Sequence, residues 1–301
     1  MSTNALLFVL IAGLIHASWN ITAKKANGDA RFAFFTAFIL MLVWAPVGVW
    51  VAWDVIPKWG FLEWAMIVTS GILHVLYYVI LLRGYRRADL TVVYPLARGT
   101  GPLLSSLFAL VWLGESISPL GALGITGVVS GVFLIAGGPK IFANWKLNRD
   151  ASAEELAIHK RLNAGLRYGV LTGIFIASYT VLDGYAVKVM LLSPILVDYL
   201  GNFIRLIFLA PVVLRDMPTA REHWHKQWKY AVIVGTISPV SYVLVLYAVQ
   251  LAPLSHVAPA REVSMLFAAL IGGHLLCEGD RWLRFLGATF IATGVIAIVI
   301  S

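Results

Sequence analysis

Long apolar runs, each close to twenty residues, alternate with short polar segments from one end of the chain to the other. A run of this length crosses the hydrocarbon core of a bilayer as a single helix. The sequence therefore predicts an all-α membrane protein. The pattern predicts ten transmembrane helices, at residues 5–23, 32–53, 62–83, 91–113, 117–137, 165–187, 194–214, 229–250, 254–276 and 283–300.

Composition agrees with this fold class and excludes several others. Of the 301 residues, 60% are hydrophobic and 13% are charged, whereas a soluble domain carries about 25% charge. No basic segment precedes the first run and no small-residue cleavage site follows it, so we interpret it as a retained span and not a signal peptide. The single cysteine, Cys277, excludes an intrachain disulfide and a multi-cysteine metal site. The loops contain no Walker motif, metal-ligand cluster or nucleophile–base arrangement, so we expect no enzyme activity, cofactor or metal.

The two halves of the chain are related copies. A shift of 164 residues places Trp64 on Trp228, Gly71 on Gly235, Tyr78 on Tyr242 and Pro95 on Pro259. A shift of 160 residues places Gly13, Ala17, Ser18 and Trp19 on Gly173, Ala177, Ser178 and Tyr179. Each copy has five spans, so the second copy enters the membrane upside down, as an inverted repeat with its site at the midplane. The predicted organisation is a first repeat at 1–138, a polar linker with a short surface helix at 139–164, and a second repeat at 165–301.

Two stretches combine prolines with charge inside apolar spans. They are Tyr94-Pro-Leu-Ala-Arg-Gly-Thr-Gly-Pro102 in span 4 and Ala258-Pro-Ala-Arg-Glu-Val-Ser-Met265 in span 9. An arginine at membrane depth is costly and normally faces a partner or a wet cavity. Two broken, charged spans in corresponding places are typical of a transporter's binding site.

Other polar residues fall at similar depth and complete the set of candidate binding residues. The candidates for substrate contact are Arg98, Arg261, Arg205, Glu262, His16, His74, Trp19, Tyr94 and Asp183. Alternative interpretations remain for most of them. The arginines are also explained by structural ion pairs, Arg261 with Glu262 and Arg98 with Asp198. The histidines are also explained as neutral packing groups or as proton carriers, and Trp19 as core packing.

The arrangement of spans and corners resembles a known family. The chain is similar to the ten-span EamA-type carriers of the drug/metabolite transporter superfamily. Each repeat closes with a span rich in small residues after a corner, at Gly114-Glu115 and at Cys277-Glu278. Within the superfamily, His16-Ala-Ser-Trp-Asn20, Tyr94-Pro-Leu-Ala-Arg-Gly99 and Arg261-Glu-Val-Ser264 resemble a subgroup associated with phosphonate utilisation. The resemblance implies a bacterial cytoplasmic (inner) membrane protein, monomeric or homodimeric.

The predicted function is secondary transport of a small polar metabolite that bears an anionic group. Guanidinium groups favour a carboxylate, phosphonate or phosphate. Glu262 and Asp183 are candidates to meet an ammonium, which would make the ligand an amino acid or an aminophosphonate. The alternative from another class is a flippase component for a charged lipid head group. The expected partners are therefore a small-molecule substrate and membrane lipid, and no nucleic acid.

Loop charge predicts the orientation. Of the 23 Lys and Arg residues, 18 lie in the loops or the adjoining span ends of one face, and only Lys58 and Lys188 lie on the other. Because basic loops stay in the cytoplasm, both termini are expected outside. Members of the resembled family are generally thought to keep both termini inside, and the charge bias here favours the opposite.

Overall fold

The computed structural model describes residues 1–88, 90–135, 153–271 and 281–301. The described residues form twelve α-helices and one short 3-10 turn, with no strand among them. The helices are α1 (Thr3–Lys25), α2 (Ala30–Val43), α3 (Ala45–Val55), α4 (Phe61–Arg87), α5 (Leu90–Trp112), α6 (Pro119–Ile135), α7 (Ala153–Lys188), α8 (Pro194–Leu214), α9 (Met217–Leu251), α10 (Leu254–Ala260), α11 (Val263–Ile271) and α12 (Arg281–Ile300).

The predicted all-α membrane fold with ten spans is confirmed. By length and composition, α1, α4, α7, α8 and α9 each qualify as membrane-crossing helices within the described ranges. The pair α2–α3 qualifies as one span bent by 65°, at the Ala45-Pro46 step, where proline removes a backbone donor. The helices α5, α6 and α12 and the pair α10–α11 coincide with the other four predicted spans.

The described part of the linker does not form the separate surface helix that the sequence predicts. Helix α7 begins at Ala153, so residues 153–164 are continuous with the sixth span. The segment Ala153-Glu-Glu-Leu-Ala contains strong helix formers, and no proline or glycine interrupts the chain before Gly165. Residues 139–152 of the predicted linker lie outside the described residues.

The packing of the helices repeats between the two halves. Helix α1 packs along α9 and α11, and its counterpart α7 packs along α4 and α5. Helix α2 packs on α8, and α6 packs on α12, so each of these two spans meets its own counterpart. Two copies related by a pseudo-twofold axis produce this pattern, and the odd number of spans per copy places the axis in the membrane plane.

Glycines set the distance between α6 and α12. A Cβ on Gly131 would lie 2.5 Å from the Gly287 carbonyl oxygen, and a Cβ on Gly124 would lie 2.7 Å from the Gly294 oxygen. The reciprocal positions are equally tight, at 2.6 Å each. The two backbones are therefore in direct contact, as small residues allow in membrane helices. These glycine stripes face each other within the chain.

We expect Gly131→Ala to destabilise the protein by about 1–3 kcal/mol, because the new methyl group must push the two backbones apart. Gly127→Ala is the matched control, since its Cβ would have no neighbour closer than 3.4 Å. The melting temperature of both variants in detergent tests this. Equal melting temperatures would contradict the backbone contact between α6 and α12.

The two proline-containing spans, which the sequence predicts to be broken alike, differ. The prediction is wrong for span 4, because α5 is continuous from Leu90 to Trp112. Its first half packs closely on α7, where a Cβ on Gly165 would lie 2.8 Å from Val92 and one on Gly169 would lie 2.6 Å from Leu96. This close contact along one side offsets the cost of proline in a helix, about 3 kcal/mol.

Span 9 is broken, as predicted, at Arg261 and Glu262. The amide of Glu262 donates to the Pro259 carbonyl at 3.0 Å, that of Ser264 to Arg261 at 3.1 Å, and that of Met265 to Glu262 at 2.9 Å. These bonds join residues three apart, which tightens the turn between α10 and α11. The break therefore coincides with the two charged residues of the span.

Glu115 links the two repeats where α5 turns into α6. Gly114 adopts φ +64°, a left-handed conformation that favours glycine at a helix end. The Glu115 carboxylate accepts from the backbone amides of Leu254 at 2.8 Å and Ser255 at 2.9 Å, and from Lys188 Nζ at 3.0 Å. It thus caps the first turn of α10 and connects the two repeats. The corresponding Glu278 lies outside the described residues.

We expect Glu115→Gln to cost about 2 kcal/mol of stability at neutral pH, the usual range for hydrogen bonds to a charged group. Burial alone would raise the pKa of Glu115, but the amide donors of Ser255 and Leu254 and the Lys188 ammonium lower this pKa below its ordinary value. The stabilisation is therefore complete above the unfolded-state pKa of about 4.3. It is lost as the pH falls through the lowered folded-state pKa.

Melting temperatures of the wild type and Glu115→Gln, measured at neutral pH and below about pH 4, test this linkage. The gap between the two proteins should narrow in acid. Glu63→Gln is the control, because Glu63 accepts from the Gly60 amide at an exposed helix start. A gap that is independent of pH would contradict the role of the Glu115 charge.

Candidate functional site

Arg98 lies in the interior of α5 and faces three partners inside the bundle. Its Nη2 donates to His16 Nε2 at 2.9 Å, and its Nη1 lies 3.5 Å from Glu262 Oε1. The guanidinium carbon is 5.7 Å from the centre of the Tyr94 ring. The side chain is only 17% exposed. One arginine therefore joins α1, α5 and the break between α10 and α11.

Glu262 is shared by two arginines. Its Oε1 lies 3.5 Å from Arg98 Nη1 and 3.6 Å from Arg261 Nε, and its side chain is 1% exposed. Neither oxygen of the Glu262 carboxylate has a hydrogen-bond partner among the described residues. The Nε atom of Arg261 also has none among them. Two guanidinium charges thus share one carboxylate at contacts longer than a good hydrogen bond, and this group carries an excess positive charge.

Arg98 and Glu262 occupy equivalent positions of the two repeats. The shift of 164 residues that places Pro95 on Pro259 also places Arg98 on Glu262. Their contact therefore joins corresponding points of the two copies, close to the pseudo-twofold axis. The alternative pair of Arg98 with Asp198 is not formed, since Asp198 Oδ1 accepts from Asn202 Nδ2 at 3.1 Å.

His16 is a neutral acceptor in this arrangement. Because an arginine can only donate, the Nε2 atom of His16 must present a lone pair to Arg98, and the ring proton is on Nδ1. The His16 ring meets Trp19 edge to face, with the ring centres 4.8 Å apart. Trp19 also packs against the apolar cluster around Phe32 and Phe35. Trp19 therefore holds the His16 ring and contributes to the core as well.

Open space lies next to Arg98. Gly99 is buried, yet a Cβ added there would have no atom within 4 Å. Gly101 has no such space, because a Cβ added there would lie 2.7 Å from Ile176. Gly99, the chain neighbour of Arg98, is thus a position on α5 with unfilled space beside it.

A second group of polar residues lies between α4, α7 and α9. The His74 ring stacks on Tyr179 at 3.9 Å and meets Tyr242 edge-on at 5.8 Å. His74 Nδ1 donates to the Ser70 carbonyl at 3.0 Å, and Tyr242 donates its hydroxyl proton to Asp183 Oδ2 at 2.5 Å. Asp183 is 1% exposed. The cluster buries a carboxylate beside three aromatic rings.

Sequence reasoning did not select Tyr179 and Tyr242, although a signal for both was present. Tyr242 is the repeat counterpart of Tyr78, and Tyr179 is the counterpart of Trp19. Tyr179 and Tyr242 both lie within electrostatic range of Arg261. An aromatic residue that recurs at equivalent depth in both repeats was therefore a usable indication of a lining residue.

Arg205 lies to the side of the group around Arg98. Its guanidinium carbon is 5.0 Å from the centre of the Tyr78 ring, and its Nε is buried with no hydrogen-bond partner among the described residues. It is within electrostatic range of His74 and Asp198.

Of the nine candidate residues, the structure thus joins Arg98, Arg261, Glu262, His16, Trp19 and Tyr94 through direct contacts, and it places His74 and Asp183 in the adjacent cluster.

The comparisons with known proteins agree with the fold and its division into two copies. The sequence matches the EamA-like transporter family over residues 3–137 and 163–300, and so in both halves. The fold is similar to that of a solved crystal structure, with a TM-score of 0.70 and 12% sequence identity. The match covers 100% of this chain and 98% of the chain in that structure. At that identity the similarity concerns the fold alone.

The chain belongs to the EamA-like transporter family of the drug/metabolite transporter superfamily. It is accordingly a multi-pass membrane transporter of small molecules and not an enzyme. The predicted fold and protein class are therefore confirmed.

Proposed function

We propose that the protein is a secondary transporter of a small polar metabolite that bears an anionic group, of the amino acid, carboxylate or aminophosphonate type. The observation that carries this is the pair of arginines Arg98 and Arg261, whose side chains are 17% and 14% exposed and which share the single carboxylate of Glu262. A second anion is the natural partner for the excess charge, because buried charges are paired or strongly destabilising.

The chemistry of the guanidinium supports an acid group in particular. Its planar fork matches carboxylate and phosphonate oxygens in two parallel hydrogen bonds. Arg261 Nε has no hydrogen-bond partner among the described residues, and there is unfilled space beside Gly99, the chain neighbour of Arg98. A cationic substrate is disfavoured at this point, because it would meet two positive charges and one carboxylate already shared by both.

Alternating access fits the position of these residues. They come from α1, α5 and the α10–α11 break, and so from both repeats. An acid group bound between Arg98 and Arg261 is held by one residue of each copy. Movement of one copy against the other then exposes the same site to either side of the membrane.

A thermal-shift screen of purified protein with carboxylates, phosphonates and amino acids tests the proposal. Ligands with an acid group should raise the melting temperature, and they should do so less in Arg261→Lys. Scrambling of a labelled aminophospholipid in proteoliposomes tests the flippase alternative. Stabilisation by amines alone, or lipid scrambling without uptake of any soluble acid, would contradict the proposed function.

We also propose that both termini face the outside of the cytoplasmic membrane. The support is the concentration of loop Lys and Arg on the face opposite the termini. A reporter fused after Ser301 tests this, since alkaline phosphatase is active outside and green fluorescent protein is fluorescent inside. An active phosphatase fusion is expected, and a fluorescent C-terminal fusion with an inactive phosphatase would contradict it.

A further inference from the structure

The buried charges of the described spans form two groups of opposite sign. In the first, Arg98 and Arg261 share Glu262, which leaves an excess of positive charge. The second contains the acids Asp183 and Asp198, which are within electrostatic range of each other, and Arg205 is the arginine near Asp198. The second group has two acids and one arginine, so it carries an excess of negative charge when both acids are ionised and His74 is neutral.

Asp183 has an unused acceptor. Its Oδ2 is bonded to the Tyr242 hydroxyl, and the Ser70 hydroxyl lies near the carboxyl group. Its Oδ1 nevertheless makes no hydrogen bond of good geometry among the described residues, although the side chain is 1% exposed. Thr180 Oγ1, three residues earlier on the same helix, is also buried without a partner. Residues three apart on a helix share a face. A buried carboxylate in this condition is costly unless a cation or a proton satisfies it.

A small cavity adjoins one member of the first group. Arg261 lines it together with Thr180 and with Tyr242, the tyrosine that donates to Asp183. The rings of Tyr179 and Tyr242 flank His74, and aromatic faces attract ammonium groups. A molecule that carries an acid at one end and an amine at the other would thus have partners of both signs in this region.

We propose that Asp183 Oδ1, together with Thr180 Oγ1, binds the ammonium group of a zwitterionic substrate whose acid group lies between Arg98 and Arg261. This proposal rests on the proposed function and narrows its substrates to amino acids and aminophosphonates. Glu262, which the sequence offers as an equal partner for an ammonium, is already held by two arginines. The contacts therefore favour Asp183 over Glu262 as the ammonium-binding acid, a choice that the sequence alone leaves open.

The test compares ligands that differ only in the amine, using purified full-length protein in lipid nanodiscs and isothermal titration. The pairs are alanine with propionate, aspartate with succinate, and 2-aminoethylphosphonate with ethylphosphonate. For a pair that binds, the wild type should bind the amino member at least about tenfold more tightly. Asp183→Asn should remove this difference and leave the affinity for the desamino member unchanged.

Two further variants make the result specific. Thr180→Val keeps the shape and removes one acceptor, so it should reduce the preference for the amine without abolishing it, even if Asp183→Asn does not fold. Glu222→Gln is the control, because it makes the corresponding chemical change at an exposed acid that pairs with Lys226, and it should keep the preference.

The outcomes separate the two proposals. Equal affinity for both members in the wild type, or an unchanged preference in Asp183→Asn, overturns the ammonium subsite and leaves the transport of acids in place. Equal affinities that depend on pH in the wild type but not in Asp183→Asn would mean that Oδ1 holds a proton, and they also overturn it. Unchanged binding of both members in Arg261→Lys overturns the proposed function instead.

Discussion

Replacing Arg98 with lysine is expected to reduce uptake at least about a hundredfold while the protein stays folded. A factor of one hundred corresponds to about 2.7 kcal/mol, within reach of the loss of a hydrogen bond to a charged group. Arg98 donates to His16 from one nitrogen and approaches Glu262 with another. A lysine ammonium keeps the charge beside Glu262 but lacks the planar fork that holds an acid group in two parallel bonds.

Substrate uptake into proteoliposomes, with melting temperature measured in parallel, checks this result. Arg87→Lys is the matched control, because Arg87 donates to the Tyr168 hydroxyl at an exposed position. Arg98→Ala should also lose uptake but keep a melting temperature close to that of the wild type, because Arg261 still balances the charge of Glu262. Normal uptake by Arg98→Lys would mean that Arg98 is a structural ion-pair residue only.

The second large effect is expected from Glu262→Gln. This change leaves Arg98 and Arg261 as buried charges without their shared carboxylate, and breaking a buried pair costs about 3–5 kcal/mol. The melting temperature should fall strongly in buffer without small anions. It should recover when an acid ligand is added, because a ligand that binds only the folded state stabilises it by mass action.

The recovery distinguishes an anion site from a structural contact. Phosphonates and carboxylates should restore the melting temperature of Glu262→Gln more than they raise that of the wild type. Glu222→Gln, in an exposed pair with Lys226, should change neither value. A loss of stability that no anion reverses would contradict the view that the two arginines form a binding site for an acid group.

The spans and their duplication could be predicted from the sequence because each depends on local composition. A run of about twenty apolar residues needs no long-range information to be assigned as a span. The apolar run does not fix where the helix itself begins or ends, because a helix continues beyond the membrane as long as its residues favour helix formation. Helix α7 therefore begins at Ala153, and α9 begins at Met217, well before the apolar runs start.

The shape of the proline-containing spans depends on their neighbours, and for that reason the sequence could not predict it. Pro95 and Pro102 remain in a continuous α5, which comes close to α7 at Gly165 and Gly169. In span 9 the chain breaks at Arg261 and Glu262 instead. The same residue type thus has two outcomes that only tertiary packing decides.

The candidate site could be predicted as a set of residues but not as a set of pairs. Charge at membrane depth identified the three arginines, the two histidines and the acids. The partners were a matter of distance, and the structure pairs Arg98 with Glu262 and His16 and leaves Asp198 with Asn202. Tyr242 was visible only as a repeat counterpart of Tyr78, because a tyrosine within a span carries no charge to mark it.

Exchange across proteoliposomes tests most directly the central claim that the carried molecule must bear an acid group. The proteoliposomes would be loaded with labelled solutes, in pairs whose members differ in that group alone. The pairs are alanine with alaninamide and 2-aminoethylphosphonate with ethanolamine. The account predicts exchange of the acid-bearing members, lost in Arg98→Lys, and no exchange of the acid-free members. Exchange of alaninamide or ethanolamine at an equal or higher rate would contradict it.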